Sequence, residues 1–282
     1  MHQDYLLEYQ QYLLARNKEM STIKIYTSEI RHFLRWLQER EKKLSEVNSE
    51  DILSVCQTLH GNEAKFSTMN KSVSILSGFF KWAMMQGYVK DNPAAYSRLL
   101  DHKKNDLPKW LSAEEEAQLL HHASKERNPF KKARNEALIY VMLFAGLRVD
   151  EVSQLRLDSI RDGVLAVYDD GRESRHVPLD EKTRQKLLNW IEERSKANKP
   201  YYEESPYLFV TARSAKMQSR AIQFVVESYS ERLGFPILCQ HLRNTYCRRL
   251  VEQGMTVEQV KQLAGHKSVL TTWRYFLGLN QS

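Results

Sequence analysis

Cysteine is scarce in this 282-residue chain, and the three present form no pattern: Cys56, Cys239 and Cys247 are odd in number and include no CxxC pair. That argues against a disulfide framework or a cysteine-held zinc site and fits a reducing compartment. Glycine and proline are also few, 10 and 7, so collagen-like and low-complexity classes fall away. No internal repeat is evident. The longest apolar run, ALIYVMLFAGL at 137–147, is about half of what a membrane span needs. The opening MHQDYLLEYQ mixes charge and polarity throughout, unlike a secretory leader. The expectation is a cytoplasmic globular protein with no membrane partner.

What is present is a globular composition, 42% hydrophobic and 27% charged, in a length suited to one large domain or two ordinary ones. Lys and Arg number 42 against 35 Asp and Glu, a net charge of +7. A basic balance favours a polyanionic partner, although alone it suits a merely soluble basic protein equally well. Residues 1–107 hold 15 basic and 13 acidic side chains, which leaves 27 against 22 for the rest. Both halves are positive, as a clamp around one polyanion requires; two solvated basic surfaces would look the same.

Residues 1–95 read as a small all-α unit. DYLLEYQQYLLAR repeats apolar residues at helical spacing, and STIKIYTSEIRHFLRWLQER places Ile23, Tyr26, Ile30, Phe33, Leu34 and Leu37 on one face after a Ser21 cap. A third helix starts at an Asn48 or Ser49 cap and stops at Gly61; a fourth ends near Gly87, before Pro93 breaks the pattern. Residues 96–110, polar and basic with Pro108 near the end, read as a linker. Residues 111–282 are mixed. SAEEEAQLLHHA is a capped helix with acids in its first turn. NEALIYVMLFAG is a buried helix stopped by Gly146, followed by a helix capped by Asp150. DGVLAVYDDGRESRHVPL alternates, turns at DDG and alternates again, as a β-hairpin does. Helices dominate from Asp180 onward. The expected fold class is mainly α with a small β-hairpin or sheet, in two domains.

Four short segments stand out: GLRVDEVSQLR (146–156), DDGRESRHVPL (169–179), QHLRNTYCRRL (240–250) and LAGHKSVLTTWRYF (263–276). Together they resemble the tyrosine recombinase family, the phage-integrase or λ-integrase-like enzymes, and the resemblance covers nearly the whole chain. The GLRxxE segment and the nine-residue spacing from His266 to Tyr275 are its specific parts; the charged hairpin is less so. The resemblance implies a helical core-binding (SAM-like) DNA-binding domain over 1–95 and an α+β catalytic domain over 111–282. It also implies an enzyme that cleaves and rejoins duplex DNA through a covalent 3′-phosphotyrosine, serving a mobile element (integration or cointegrate resolution) or chromosome-dimer resolution.

Such a reaction defines roles. A phenol can attack phosphorus and conserve the bond energy in a phosphotyrosine, and planar, permanently charged arginine forks suit the non-bridging oxygens. The resemblance assigns the nucleophile to Tyr275 and phosphate contacts to Arg148 and Arg243, with Glu151 three residues after Arg148 able to hold its guanidinium. TVEQVKQLAG reads as a helix with a Thr256–Gln259 capping box and a Gly265 stop, so His266 emerges just past a helix end, where its imidazole can bond a phosphate oxygen. SVLTTWRY then forms a short helix carrying Tyr275. Two departures from the family pattern are visible. Where a histidine usually stands three residues before the second arginine, this chain has Gln240, with His241 one position late. Either Gln240 orients the phosphate or His241 reaches in; a one-residue shift turns a helical side chain by about 100°, which favours Gln240. The hairpin lysine that usually serves as general acid is also missing, since no lysine lies between Arg161 and Glu181. Asp169 and Asp170 stand in that stretch and Arg172 is the nearest cation, suited to binding DNA or donating a hydrogen bond but poor as an acid.

The implied partners are double-stranded DNA and further copies of the chain, in a tetramer on DNA; no metal, cofactor or nucleotide is implied. Lys24, Arg31, Lys71 and Lys81 lie on polar helix faces of the first domain and are candidate phosphate contacts. Two other readings share these features: a DNA-binding regulator with a decayed site, and a monomeric type IB topoisomerase.

Overall fold

The computed structural model describes residues 2–61, 66–95, 107–169 and 171–277. Residues 96–106 of the expected linker, Asp170 of the hairpin turn and the residues after Leu277 lie outside the described residues. Contacts divide the chain into two compact units, Met1–Asn105 and Asp106–Ser282.

The first unit contains α1 (His2–Ala15), α2 (Met20–Glu39), α3 (Ser49–His60) and α4 (Phe66–Met85). Apolar residues at helical spacing turn one face of α2 inward, burying Ile23, Ile30, Phe33, Leu34 and Leu37. They meet an aromatic centre: Tyr9 and Phe79 pack edge-on at 5.2 Å, and Phe33 against Phe80 at 5.6 Å, arrangements that contribute beyond area burial alone. Asn48 caps α3 through a reciprocal exchange with Asp51. The expected Ser21 cap of α2 is not found. The helix begins at Met20 after Glu19, and the Ser21 hydroxyl donates to the Glu19 carboxylate instead of accepting from a free amide.

The second unit is built around α6 (Pro129–Leu143), whose residues from Ala137 to Leu143 are all buried. Around it lie α5 (Ala113–Ser124), α7 (Val149–Gln154), α8 (Glu181–Ser195), α9 (Pro200–Glu203) and α10 (Ser219–Leu233). Leu187, Trp190 and Val226 of these helices, with Phe209 of the segment between α9 and α10, share one core with Leu138 and Met142. A three-stranded antiparallel sheet, β1 (Ile160–Arg161), β2 (Val164–Asp169) and β3 (Arg172–Pro178), runs in order β1-β2-β3. Register pairs Leu165 with Val177 and Val167 with Arg175, and all four face inward. The two-residue β1 is unanticipated, being too short to show a period. Three further helices, α11 (Cys239–Glu252), α12 (Val257–Ala264) and α13 (Val269–Phe276), close on a satellite core of Tyr246, Cys247, Leu250, Val251, Val260, Ala264 and Tyr275. No described helix is long and apolar enough to cross a membrane.

Two expectations about the turn before α7 need correction. The helix α6 ends at Leu143, three residues before Gly146, because Phe144 already leaves helical geometry at φ −121°. The N-cap of α7 is Arg148, not Asp150: the Arg148 amide donates to the Glu151 carboxylate, which starts the helix two residues earlier. Asp150 sits in the first turn and accepts from Ser219. Gly146 is required here for two reasons. Its φ is +66°, and a Cβ would lie 2.1 Å from the Tyr246 ring.

Gly146→Ala therefore lowers unfolding free energy by at least about 2 kcal/mol, combining backbone strain and overpacking. Gly234→Ala, also at positive φ but with nothing within 4 Å, loses only about 1 kcal/mol. Urea titration of both variants measures the difference.

Candidate active site

One carboxylate organises the site. The capping exchange at the start of α7 folds the Glu151 side chain back, so that Oε2 accepts from the Arg148 amide at 2.7 Å. Glu151 is only 6% exposed. Arg148 Nη1 donates to Oε1 at 2.8 Å, Arg175 forks onto both oxygens at 2.7 and 3.0 Å, and Arg243 Nη1 stands 3.7 Å from Oε2. Burial pushes the Glu151 carboxyl up, but the hydrogen bond and charge of Arg175, the Arg148 amide and the charge of Arg243 outweigh it, and the carboxyl lies below its ordinary value.

The three guanidinium groups share a second anchor. Arg175 Nε donates to the Leu263 carbonyl at 2.8 Å, Arg243 Nη2 to that of Ala264, and Arg148 Nη2 to that of Gly265 at 2.6 Å. These are successive carbonyls at the end of α12, where a helix leaves acceptors unsatisfied and its dipole favours cations. Arg243, 2% exposed, also donates to the Gly146 carbonyl. Burial lowers its pKa, yet a guanidinium, which starts far above neutrality, stays charged. The Gly265 stop lies at φ +64°, which favours glycine, and a Cβ there would meet Arg175 Nη1 at 2.6 Å and push on its fork. Three cations against one carboxylate leave the cluster positive, and the side chain of Arg148 is 38% exposed. The arrangement can bind an anion.

His266 and Tyr275 stand beside this cluster. His266 is 7% exposed, with Nδ1 2.9 Å from Thr272 Oγ1. Burial, then the charges of Arg243, Arg148 and Arg175, bring its pKa down to about 4, so the ring is neutral at pH 7. It stacks on Tyr275 at 5.9 Å with the planes 6° apart. Tyr275 is 3% exposed, and its hydroxyl donates to Asn244 Oδ1 at 2.7 Å. Burial pushes this phenol well above the ordinary tyrosine value.

The remaining sequence candidates are placed as follows. Gln240 is exposed at the start of α11 and donates to Asn244 Oδ1 at 2.7 Å. His241 is half-buried, with Nδ1 turned to the Pro236 carbonyl at 3.2 Å. Arg172 is exposed at the start of β3, opposite Asp169; the hairpin residue that joins the cluster is Arg175. Counting back by twos from the inward Val177 reaches Arg175 and misses Arg172, so strand parity carried the signal. Asn244 and Thr272 had no local signal. Nor did Lys267, whose Nζ lies 3.3 Å from Asp169 Oδ2 and so brings a lysine to a hairpin that has none. Among the described residues, no three His, Cys, Asp or Glu side chains converge as metal ligands would.

Known proteins resemble this chain over most of its length. The phage integrase family profile matches residues 109–280, and the profile of the phage integrase N-terminal SAM-like domain matches residues 6–87. The chain is 25% identical over 269 residues to tyrosine recombinase XerC of Thermodesulfovibrio yellowstonii, covering 93% of this chain and 87% of that protein. Its fold is shared with the Tn1549 transposon integrase in complex with a circular intermediate DNA, at TM-score 0.76 and 18% identity over 96% of this chain and 94% of that one. A λ integrase dimer bound to a COC′ core site gives TM-score 0.75 and 19% identity over 99% and 78%.

Glu151→Gln leaves three guanidinium groups facing a neutral amide and lowers unfolding free energy by roughly 3 kcal/mol, as loss of one partner of a buried ion pair does; denaturant titration checks this. His266 has a folded pKa below its unfolded value of about 6.5, so the unfolded state takes up the proton first as pH falls. Its stabilising contribution is complete above pH 6.5 and declines towards pH 4, by as much as about 3 kcal/mol. Thermal melts of wild type and His266→Gln across that window show a shallower acid decline in the variant.

Proposed function

Since the chain belongs to the phage integrase family and is a tyrosine site-specific recombinase, we propose that it cleaves and rejoins duplex DNA through a covalent bond between Tyr275 and a 3′ phosphate. The observation that carries this reading is the excess of positive charge around Glu151, set beside a histidine stacked on the only tyrosine at the expected spacing. Arg148, the most open of the three cations, contacts the non-bridging oxygens first, and Arg243 contacts them from the helix behind. Arg175 spends its fork on Glu151 and acts as a positioning residue.

The step balances simply. The Tyr275 oxygen bonds to phosphorus, the bond from phosphorus to the 5′ oxygen breaks, the phenol loses its proton and the 5′ oxygen gains one. Negative charge grows on the phosphoryl oxygens in the transition state, where fixed guanidinium donors act most strongly. Neutral His266, with Nδ1 at Thr272, offers its other nitrogen to a phosphoryl oxygen. Gln240 supplies an amide donor in place of the family's histidine. Water protonates the leaving oxygen, since neutral His266 carries no acidic proton to give, and Arg172 contacts the DNA backbone.

The domain limits follow the same reading: 1–95 as a DNA-binding domain, 96–110 as a linker and 111–282 as the catalytic domain. Lys24, Arg31, Lys71 and Lys81 are all exposed and serve as phosphate contacts, so affinity falls steeply with salt. Two protomers on each of two sites form a tetramer that exchanges strands in pairs, in the cytoplasm, for a mobile element or for chromosome-dimer resolution.

The test uses a nicked duplex carrying the site that the wild-type protein selects from random DNA, with products resolved on a denaturing gel. Wild type forms a covalent adduct, Tyr275→Phe forms none, and Arg148→Ala forms it at least about 100-fold more slowly. An adduct that persists in Tyr275→Phe rejects the assignment. Relaxation of supercoils without exchanged flanks identifies a topoisomerase instead.

A further inference from the structure

The reaction needs a free phenol oxygen, yet the hydroxyl of Tyr275 donates to the Asn244 side chain and has the Cys247 thiol as a second hydrogen-bonding neighbour. Asn244 follows Arg243 on α11 and is 4% exposed. Its Oδ1 accepts from Tyr275 Oη at 2.7 Å and from Gln240 Nε2 at 2.7 Å, and its Nδ2 donates to the Lys109 carbonyl at 2.7 Å. Both lone pairs of the amide oxygen and one amide proton are therefore used. The orientation is fixed by its partners, since a flipped amide would set an N–H against the phenol and an oxygen against the Lys109 carbonyl.

We propose that Asn244 is a positioning residue that latches Tyr275: it keeps the phenol protonated and off the phosphate until the tyrosine is released. Three features support this. Against an acceptor, the phenol must donate, so its proton stays on the oxygen that would attack. Adjacent residues on a helix point about 100° apart, so a hydroxyl held by Asn244 is off the direction in which Arg243 leaves α11. The latch has an external anchor in the Lys109 backbone, so the tyrosine cannot drag Asn244 with it. Gln240, placed above as a phosphate contact, shares the same oxygen and so links the latch to the phosphate site. The proposal rests on Tyr275 being the nucleophile.

Two measurements separate that premise from the latch. Tetranitromethane nitration of Tyr275, followed by peptide mass spectrometry without DNA, reads access to the phenol alone. Single-turnover adduct formation on the nicked duplex reads the reaction. Asn244→Ala raises both rates by about three- to tenfold, the loss of one ordinary hydrogen bond. Asn244→Asp keeps an acceptor, now charged, so nitration stays at or below the wild-type rate and adduct formation is slower than wild type. Equal acceleration in both variants, or unchanged nitration in Asn244→Ala, overturns the latch. If circular dichroism shows Asn244→Ala unfolded, Asn244→Asp decides the matter, and an adduct rate at or above wild type rejects the proposal. Nitration as expected with no adduct from any form, wild type included, shows that Asn244 restrains the phenol but rejects Tyr275 as nucleophile, and with it the catalytic role of the latch.

Discussion

A single buried carboxylate facing three guanidinium groups is the interaction on which the carboxy-terminal unit depends. Charges removed from water are costly unless paired and hydrogen-bonded, and Glu151 satisfies both conditions with partners from a helix start, a strand and a second helix. The pairing is incomplete by design of number, since one negative charge cannot balance three positive ones. A folding requirement thereby becomes an anion site. The same cations end α12 by taking its last carbonyls, which places the next residue, His266, against the cluster. The proposed phosphate contacts and the position of His266 therefore depend on one set of bonds.

Burial sets the protonation states of the two aromatic groups beside that cluster. It makes His266 neutral and raises the phenol of Tyr275 above its ordinary value, so the resting phenol keeps its proton. A site of this kind gains rate from charge that appears only during the reaction, because fixed guanidinium groups stabilise a developing anion more than they stabilise a neutral phenol. The satellite core of α11, α12 and α13 is small beside the main one around α6.

Local chemistry was readable wherever cause and effect lie within one turn. The Thr256–Gln259 capping box and the left-handed Gly265 stop stand where spacing predicts them, as do the Asn48 cap and the hairpin strands. Errors came where two local candidates competed. Ser21 and Asp150 both suit an N-cap, but Glu19 and Arg148 precede helices that start earlier, and at Arg148 the carboxylate of Glu151 decides the start. Arg172 is the cation nearest the turn, whereas of the two arginines the alternation of β3 turns only Arg175 inward.

By itself the order of residues determined the helical periodicity, the caps, the hairpin and the motif spacing that marks the family, because each acts over a few neighbouring positions. Only the tertiary structure decided that Arg175 completes the cation cluster, that His266 is neutral and that Asn244 holds the phenol. Those outcomes depend on burial and on partners brought from distant positions, Asn244 meeting Lys109 135 residues away and Tyr275 31 residues away. No spacing rule reaches across such distances; the packing of the chain supplies the contacts.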